Sequence, residues 1–189
     1  DARWCYARAA VRDGPNVRLA ARGDVQEGGE GMGPSAGNHI TATYGFDRGT
    51  IGHFASQSST RAPGETDRFG LTLYGSKGVI QLTTGSLASA YFLADPSWFP
   101  GRSRAAWQEI TSAGVGRPEP LRDGGLGQGN VWIAQDLIGA IEQERQPRGN
   151  MYDGRAALEM ILAVYESHRQ RRAVDLPLQN RRHPLTMLS

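Results

Sequence analysis

The sequence holds one cysteine, Cys5, and one lysine, Lys77, and no run of about 20 apolar residues. A single cysteine excludes an internal disulfide and fits a reducing compartment. Without a long apolar run, no membrane-spanning helix is expected. Residues Asp1 to Val11 include Arg3 and Arg8 and contain no apolar signal-peptide core. These absences predict a cytoplasmic protein. An excess of one charge is missing too: 21 basic residues face 19 acidic ones, for a net charge of +2. Such balance gives no basis for nucleic acid or a membrane as partner. Apart from Lys77 the basic residues are arginines, scattered as codon bias would leave them.

What is present reads as strands first and helices last. Ala2 to Arg12 is rich in Trp, Tyr, Cys and Val, alternates poorly, and stops at Asp13-Gly14-Pro15; it is expected as a strand. Asn16 to Asn38 is glycine-rich and expected to be mostly loop. His39 to Phe46 and Thr50 to Ser58 flank Asp47-Arg48-Gly49 and predict a hairpin, with Gly49 tolerating a left-handed turn. After a polar loop at Ser59 to Asp67, Arg68 to Tyr74 and Val79 to Thr84 predict a second hairpin around Gly75-Ser76-Lys77-Gly78. Leu87 to Ala94 and Ala106 to Thr111 are further strands. Ser112 to Gly129 is expected as a long surface excursion. Ala134, Leu137, Ile138 and Ile141 then form one helical stripe, and Ala157, Leu158, Ile161, Val164 and Tyr165 another. Asp153 is the expected N-cap of the second helix. No domain boundary stands out. The order predicts an α+β fold: an open, largely antiparallel β-sheet with C-terminal helices packed on one face.

Chemistry is sparse. Gly124-Gly125-Leu126-Gly127-Gln128-Gly129 precedes a helix, but Arg117-Pro118-Glu119-Pro120 stands where a dinucleotide fingerprint needs a strand, and Asn130 stands where its last glycine would be. His39, His53, His168 and His183 lack metal-ligand spacing, so no metal site is expected. Cys5 sits in an apolar strand with no base to activate it. Glu142 and Glu144 read as a solvated face, Glu159 and Glu166 as surface or interface residues. The better binding candidates are Trp98, Arg102 and Arg61 on loops, with His53 and Gln57 on or beside the sheet. Tryptophan gives a flat apolar platform, and arginine a fork of donors for hydroxyls, carboxylates or phosphates.

Several segments, in order, resemble the C-terminal domain of the Gfo/Idh/MocA family of nicotinamide-dependent oxidoreductases. They are Asp1 to Arg8, Gly31-Met32-Gly33-Pro34, Gly37-Asn38-His39-Ile40 through Gly52, and Tyr74 to Ile80. Asp153-Gly154-Arg155-Ala156-Ala157-Leu158-Glu159, Tyr165-Glu166-Ser167 and Val174-Asp175-Leu176-Pro177-Leu178 complete the set. The resemblance implies an open mixed sheet with helices on one face and substrate contact and subunit packing on the other. It implies hydride transfer on sugars, inositols or related polyols with NAD or NADP, and a homo-oligomer through the open sheet face. It makes residues 1–178 one domain and 179–189 a tail. The family's Rossmann half, its Glu-Lys-Pro lysine and its helix-borne Asp and His would precede Asp1. Lys77, in a hairpin turn, is not that lysine, so no catalytic or cofactor-binding residue carries over. The expectation is a substrate-binding and oligomerising part, inactive alone; the alternatives are a non-catalytic carbohydrate-binding or scaffold module, or a truncated product.

Overall fold

The computed structural model describes residues 1–28, 33–58, 70–83, 89–122 and 124–189. They form two compact units: residues 1–60 with 149–189, and residues 61–148. The first unit is discontinuous: the chain leaves it within the polar loop expected at Ser59 to Asp67 and re-enters it after Pro147.

In the first unit the chain forms β1 (Ala2–Asp13), β2 (Asn16–Leu19), the short β3 (Gln26–Glu27) and β4 (Pro34–Ser35), β5 (His39–Phe46) and β6 (Ile51–Gln57). The second unit holds β7 (Gly70–Gly75), β8 (Gly78–Thr83), β9 (Ala90–Leu93), a helical turn α1 (Pro100–Ser103), β10 (Gln108–Thr111), β11 (Gly114–Val115) and α2 (Gly125–Glu142). The chain returns to the first unit with α3 (Met151–Gln170) and β12 (Val174–Asp175). Every strand pairing among the described residues is antiparallel. The sheets are open, as expected, but not mixed: no crossover connection makes a parallel pair here.

The first sheet runs β12-β1-β5-β6, with β2 also on β1. Helix α3 covers one of its faces. Cys5, Ala7 and Ala9 of β1 and Ala42 and Tyr44 of β5 are buried there with Ala163, Val164 and Tyr165 of α3. This overturns the reading of β1 as poorly alternating. Burial alternates from Trp4 to Ala9, but the core residues are small and the opposite row, Trp4, Tyr6 and Arg8, is large. Small side chains let the helix approach until its polar groups reach the β1 backbone.

Strand β12 pairs with residues 4 and 5 of β1, and β2 with residues 10 to 13. Between them that edge of β1 lacks a strand. Ser167 Oγ accepts from Ala7 N–H at 2.8 Å, and His168 Nδ1 accepts from Ala9 N–H at 3.3 Å. Ser167 Oγ also donates to the Arg172 carbonyl at 2.7 Å, and His168 Nε2 bonds the Ala20 carbonyl at 2.8 Å. Buried backbone groups must be paired, and here two helix side chains do it. Glu166, read from sequence as surface, is buried: it lies one residue before Ser167 and turns inward with it, held by Arg169 at 2.7 Å and by Gln170. Glu159 likewise accepts from Leu178 N–H at 2.6 Å and pairs with Arg181 at 3.1 Å, which ties α3 to the C-terminal segment. That segment brings Leu185 and Leu188 into the core.

The cap of α3 is Asn150, not Asp153. The Asn150 side chain accepts from Tyr152 N–H and Asp153 N–H and donates to Asp153 Oδ2 at 2.7 Å. Asp153 sits in the first turn, where a carboxylate also suits the helix dipole.

The second unit's sheet runs β11-β10-β9-β8-β7. In the β7–β8 turn Gly75 pairs with Gly78, whose φ is +149°. A Cβ on Gly78 would lie 2.0 Å from the Leu93 carbonyl oxygen, so β9 passes where only glycine fits. Residues 112–129, expected as one excursion, instead include β11 and the start of α2. Glycine's weak propensity hides that start, but an established helix gains a hydrogen bond with each residue added. In α2 the stripe residues Leu137, Ile138 and Ile141 are exposed and Ala140 is buried.

Candidate functional site

On the side of the first sheet turned away from α3, Tyr6, Thr41, Ile51, His53, Ala55 and Gln57 are exposed, while Ala10 and Gly45 are buried. The registers of β1, β5 and β6 place that side's residues in four rows: Trp4, Gly45 and Ile51; Tyr6, Thr43 and His53; Arg8, Thr41 and Ala55; Ala10, His39 and Gln57. The rows exist because side chains alternate with period two along each strand. The two central rows form a shallow hollow of about 360 Å³, lined by Tyr6, Arg8, Thr41, Thr43, His53 and Ala55. Its groups are an arginine, an imidazole, two hydroxyls and a phenol, a set that donates and accepts hydrogen bonds in a small area. Thr43 Oγ1 and His53 Nδ1 are 3.1 Å apart. The Arg8 guanidinium lies 4.8 Å from the centre of the Tyr6 ring.

Of the residues singled out from sequence, His53 and Gln57 stand on this face, on β6, two rows apart. Arg61 lies outside the described residues. Trp98 and Arg102 lie in the second unit. There Trp98 Nε1 donates to the Gly75 carbonyl at 2.8 Å and its ring meets Tyr74 at 5.3 Å, while Arg102 lies 5.8 Å from the Phe99 ring. Their loop is organised by the buried Asp95. Its Oδ2 accepts from Ser103 Oγ at 2.5 Å, and its Oδ1 from Ser97 N–H and Oγ at 2.8 and 2.7 Å. These hydrogen bonds, Ser103's first, hold Asp95 below the usual carboxylate range. The residues lining the hollow that sequence reasoning did not single out include Tyr6, Arg8, Thr41 and Thr43. Their signal was the period-two spacing on two strands whose shared face no single strand reveals.

Cys5 is buried on the helix side, and desolvation pushes its thiol up to about 11. It is therefore a core side chain rather than a nucleophile. Among the described residues no group of three His, Cys, Asp or Glu side chains could hold a metal ion, and no helix is long and apolar enough to cross a membrane.

No protein-family model matches the sequence, and no curated protein does. Solved structures do match in fold. One is an oxidoreductase domain protein from Kribbella flavida, at 19% identity and a TM-score of 0.61, over 94% of this chain and 45% of that one. Another is levoglucosan dehydrogenase in its apo form, at 18% identity and a TM-score of 0.62, over 94% and 46%. The same enzyme in complex with NADH and levoglucosan matches at 16% identity and 0.62, over 94% and 45%. This chain thus spans a little under half the length of the proteins it resembles. It has the fold of the C-terminal part of a Gfo/Idh/MocA-like oxidoreductase.

Proposed function

We propose that this chain is the substrate-binding and oligomerising part of an NAD(P)-dependent oxidoreductase acting on sugars, inositols or related polyols. The observation that carries the reading is the sheet face turned away from α3, with hydroxyl, imidazole and guanidinium groups in adjacent rows. Polyol recognition needs such closely spaced donors and acceptors beside an aromatic surface. The shared fold with levoglucosan dehydrogenase, solved with NADH and levoglucosan, supports the substrate class. The nucleotide is assigned to the dinucleotide-binding half that enzymes of this kind carry, and hydride transfer to the two halves together. Substrate contact is assigned to the central rows, which hold His53, and to Gln57 in the row beyond them, and subunit packing to the apolar row of Trp4, Gly45 and Ile51.

The test is a titration of the full chain with levoglucosan and with inositol, followed by backbone amide NMR. Saturable shifts confined to β1, β5 and β6 are expected. Ligand-induced shifts elsewhere, or none at all, would end the reading. NADH alone is expected to shift nothing on this face.

A further inference from the structure

At the paired positions on this face two arginines stand against one carboxylate. Arg8 and Arg12 stand on β1; His39 of β5 is opposite Ala10, and His53 of β6 is opposite Thr43. The one carboxylate at a paired position on this side is Asp175, beside Trp4 at the apolar end. Arg8 is the cation that lines the hollow. It donates to the Ala7 carbonyl at 3.0 Å and to the Arg171 carbonyl at 3.3 Å, and it lies over the Tyr6 ring. Those contacts fix the guanidinium without neutralising it: carbonyls accept hydrogen bonds but carry no net charge. None of the ion pairs among the described residues includes Arg8. It therefore stands pre-oriented, with N–H groups to spare. Thr41, Thr43 and His53 line the same hollow.

We propose that the hollow takes an anionic sugar derivative, a sugar acid or a sugar phosphate. Arg8 holds the anion, and Thr41, Thr43 and His53 contact the hydroxyls. The proposal rests on the reading of this face as the substrate surface and adds the charge of the ligand. A neutral sugar would leave the arginine without a counter-charge, whereas a carboxylate or phosphate meets its fork of donors with charge-assisted hydrogen bonds.

The full chain is titrated with glucose, glucuronate, glucose 6-phosphate and inorganic phosphate, with NMR shifts of β1, β5 and β6 as the readout. Glucuronate or glucose 6-phosphate is expected to bind about tenfold or more tightly than glucose, the worth of one charge-assisted hydrogen bond. Which of the two binds better separates a carboxylate from a phosphate. The margin should shrink as salt is raised. Arg8→Met, which keeps an apolar stem over Tyr6, should erase the margin. Arg8→Lys should restore part of it. Glucose binding as well as both anions overturns the proposal and leaves the substrate surface standing. No shift on this face with any probe overturns both. Inorganic phosphate binding as well as glucose 6-phosphate overturns the role of the hydroxyls. Should Arg8→Met fail to fold, the salt dependence of the unaltered chain decides: a margin that does not respond to salt overturns the proposal.

Discussion

Two side chains of α3 stand in for a strand. Ser167 and His168 pair the Ala7 and Ala9 N–H groups in the gap between β12 and β2, and each also bonds a carbonyl. Replacing either by alanine leaves buried backbone groups unpaired, at about 1–3 kcal/mol per group. Ser167→Ala and His168→Ala are each expected to lower the denaturation midpoint by the equivalent of about 2–4 kcal/mol. A loss under about 0.5 kcal/mol, typical of surface substitutions, would mean that water replaces them. Cys5 lies in the same core with its thiol pushed up to about 11 by burial. It should resist alkylation in the native chain near neutral pH and react at once on unfolding, as read by mass spectrometry. Glu166 is held below the usual carboxylate range, first by the Arg169 hydrogen bond and against desolvation. A depressed carboxyl stabilises the fold at pH above its unfolded value, and that stabilisation is lost as pH falls through the folded value. Glu166→Gln should therefore be less stable near neutrality, with the gap to the unaltered chain closing in the acid range. Urea melts across pH measure it; a gap constant with pH would contradict the assignment.

At the scale of elements, the hairpins were legible and the helix ends less so. The β5–β6 and β7–β8 hairpins follow from β-rich runs around glycine turns, a local signal. Gly78 shows how far that signal goes. Its place in a turn is readable from neighbours, but the Leu93 carbonyl that excludes a Cβ comes from another strand. Gly78→Ala combines this clash with a φ of +149°. It is expected to cost about 3 kcal/mol or more, since backbone strain alone reaches about 1–3. Circular dichroism melts should show a lowered or broadened transition; an unchanged melt would rule out the close approach of β9. The opposite failure is β1. Its buried alanines carry little hydrophobic signal, so a strand that alternates from Trp4 to Ala9 read as an irregular one. The α3 cap was misplaced by a single turn, because Asn150 and Asp153 are both good capping residues and only the backbone geometry separates them.

At the scale of the whole molecule, the chain leaves its first unit after residue 60 and returns at residue 149. The open face is assembled from β1, β5 and β6, with the apolar row of Trp4 and Ile51 at one end. If copies pack through that row, Ile51→Lys should shift the chain toward monomer in sedimentation velocity, while Ile141→Lys on the exposed stripe of α2 should not. The reverse pattern would move the association surface to α2. The sequence by itself determined the fold class, the hairpins, the two late helices and the resemblance of the whole to an oxidoreductase's second half. Each of these is written in local periodicity, turn chemistry or ordered motifs. Only the tertiary structure decided which residues of the first sheet stand exposed away from α3, that Ser167 and His168 complete β1, and that Arg8, Thr41, Thr43 and His53 line one hollow. Those outcomes depend on strand register and on how closely a helix can approach small side chains, and pairings between residues far apart in sequence leave no local pattern to read.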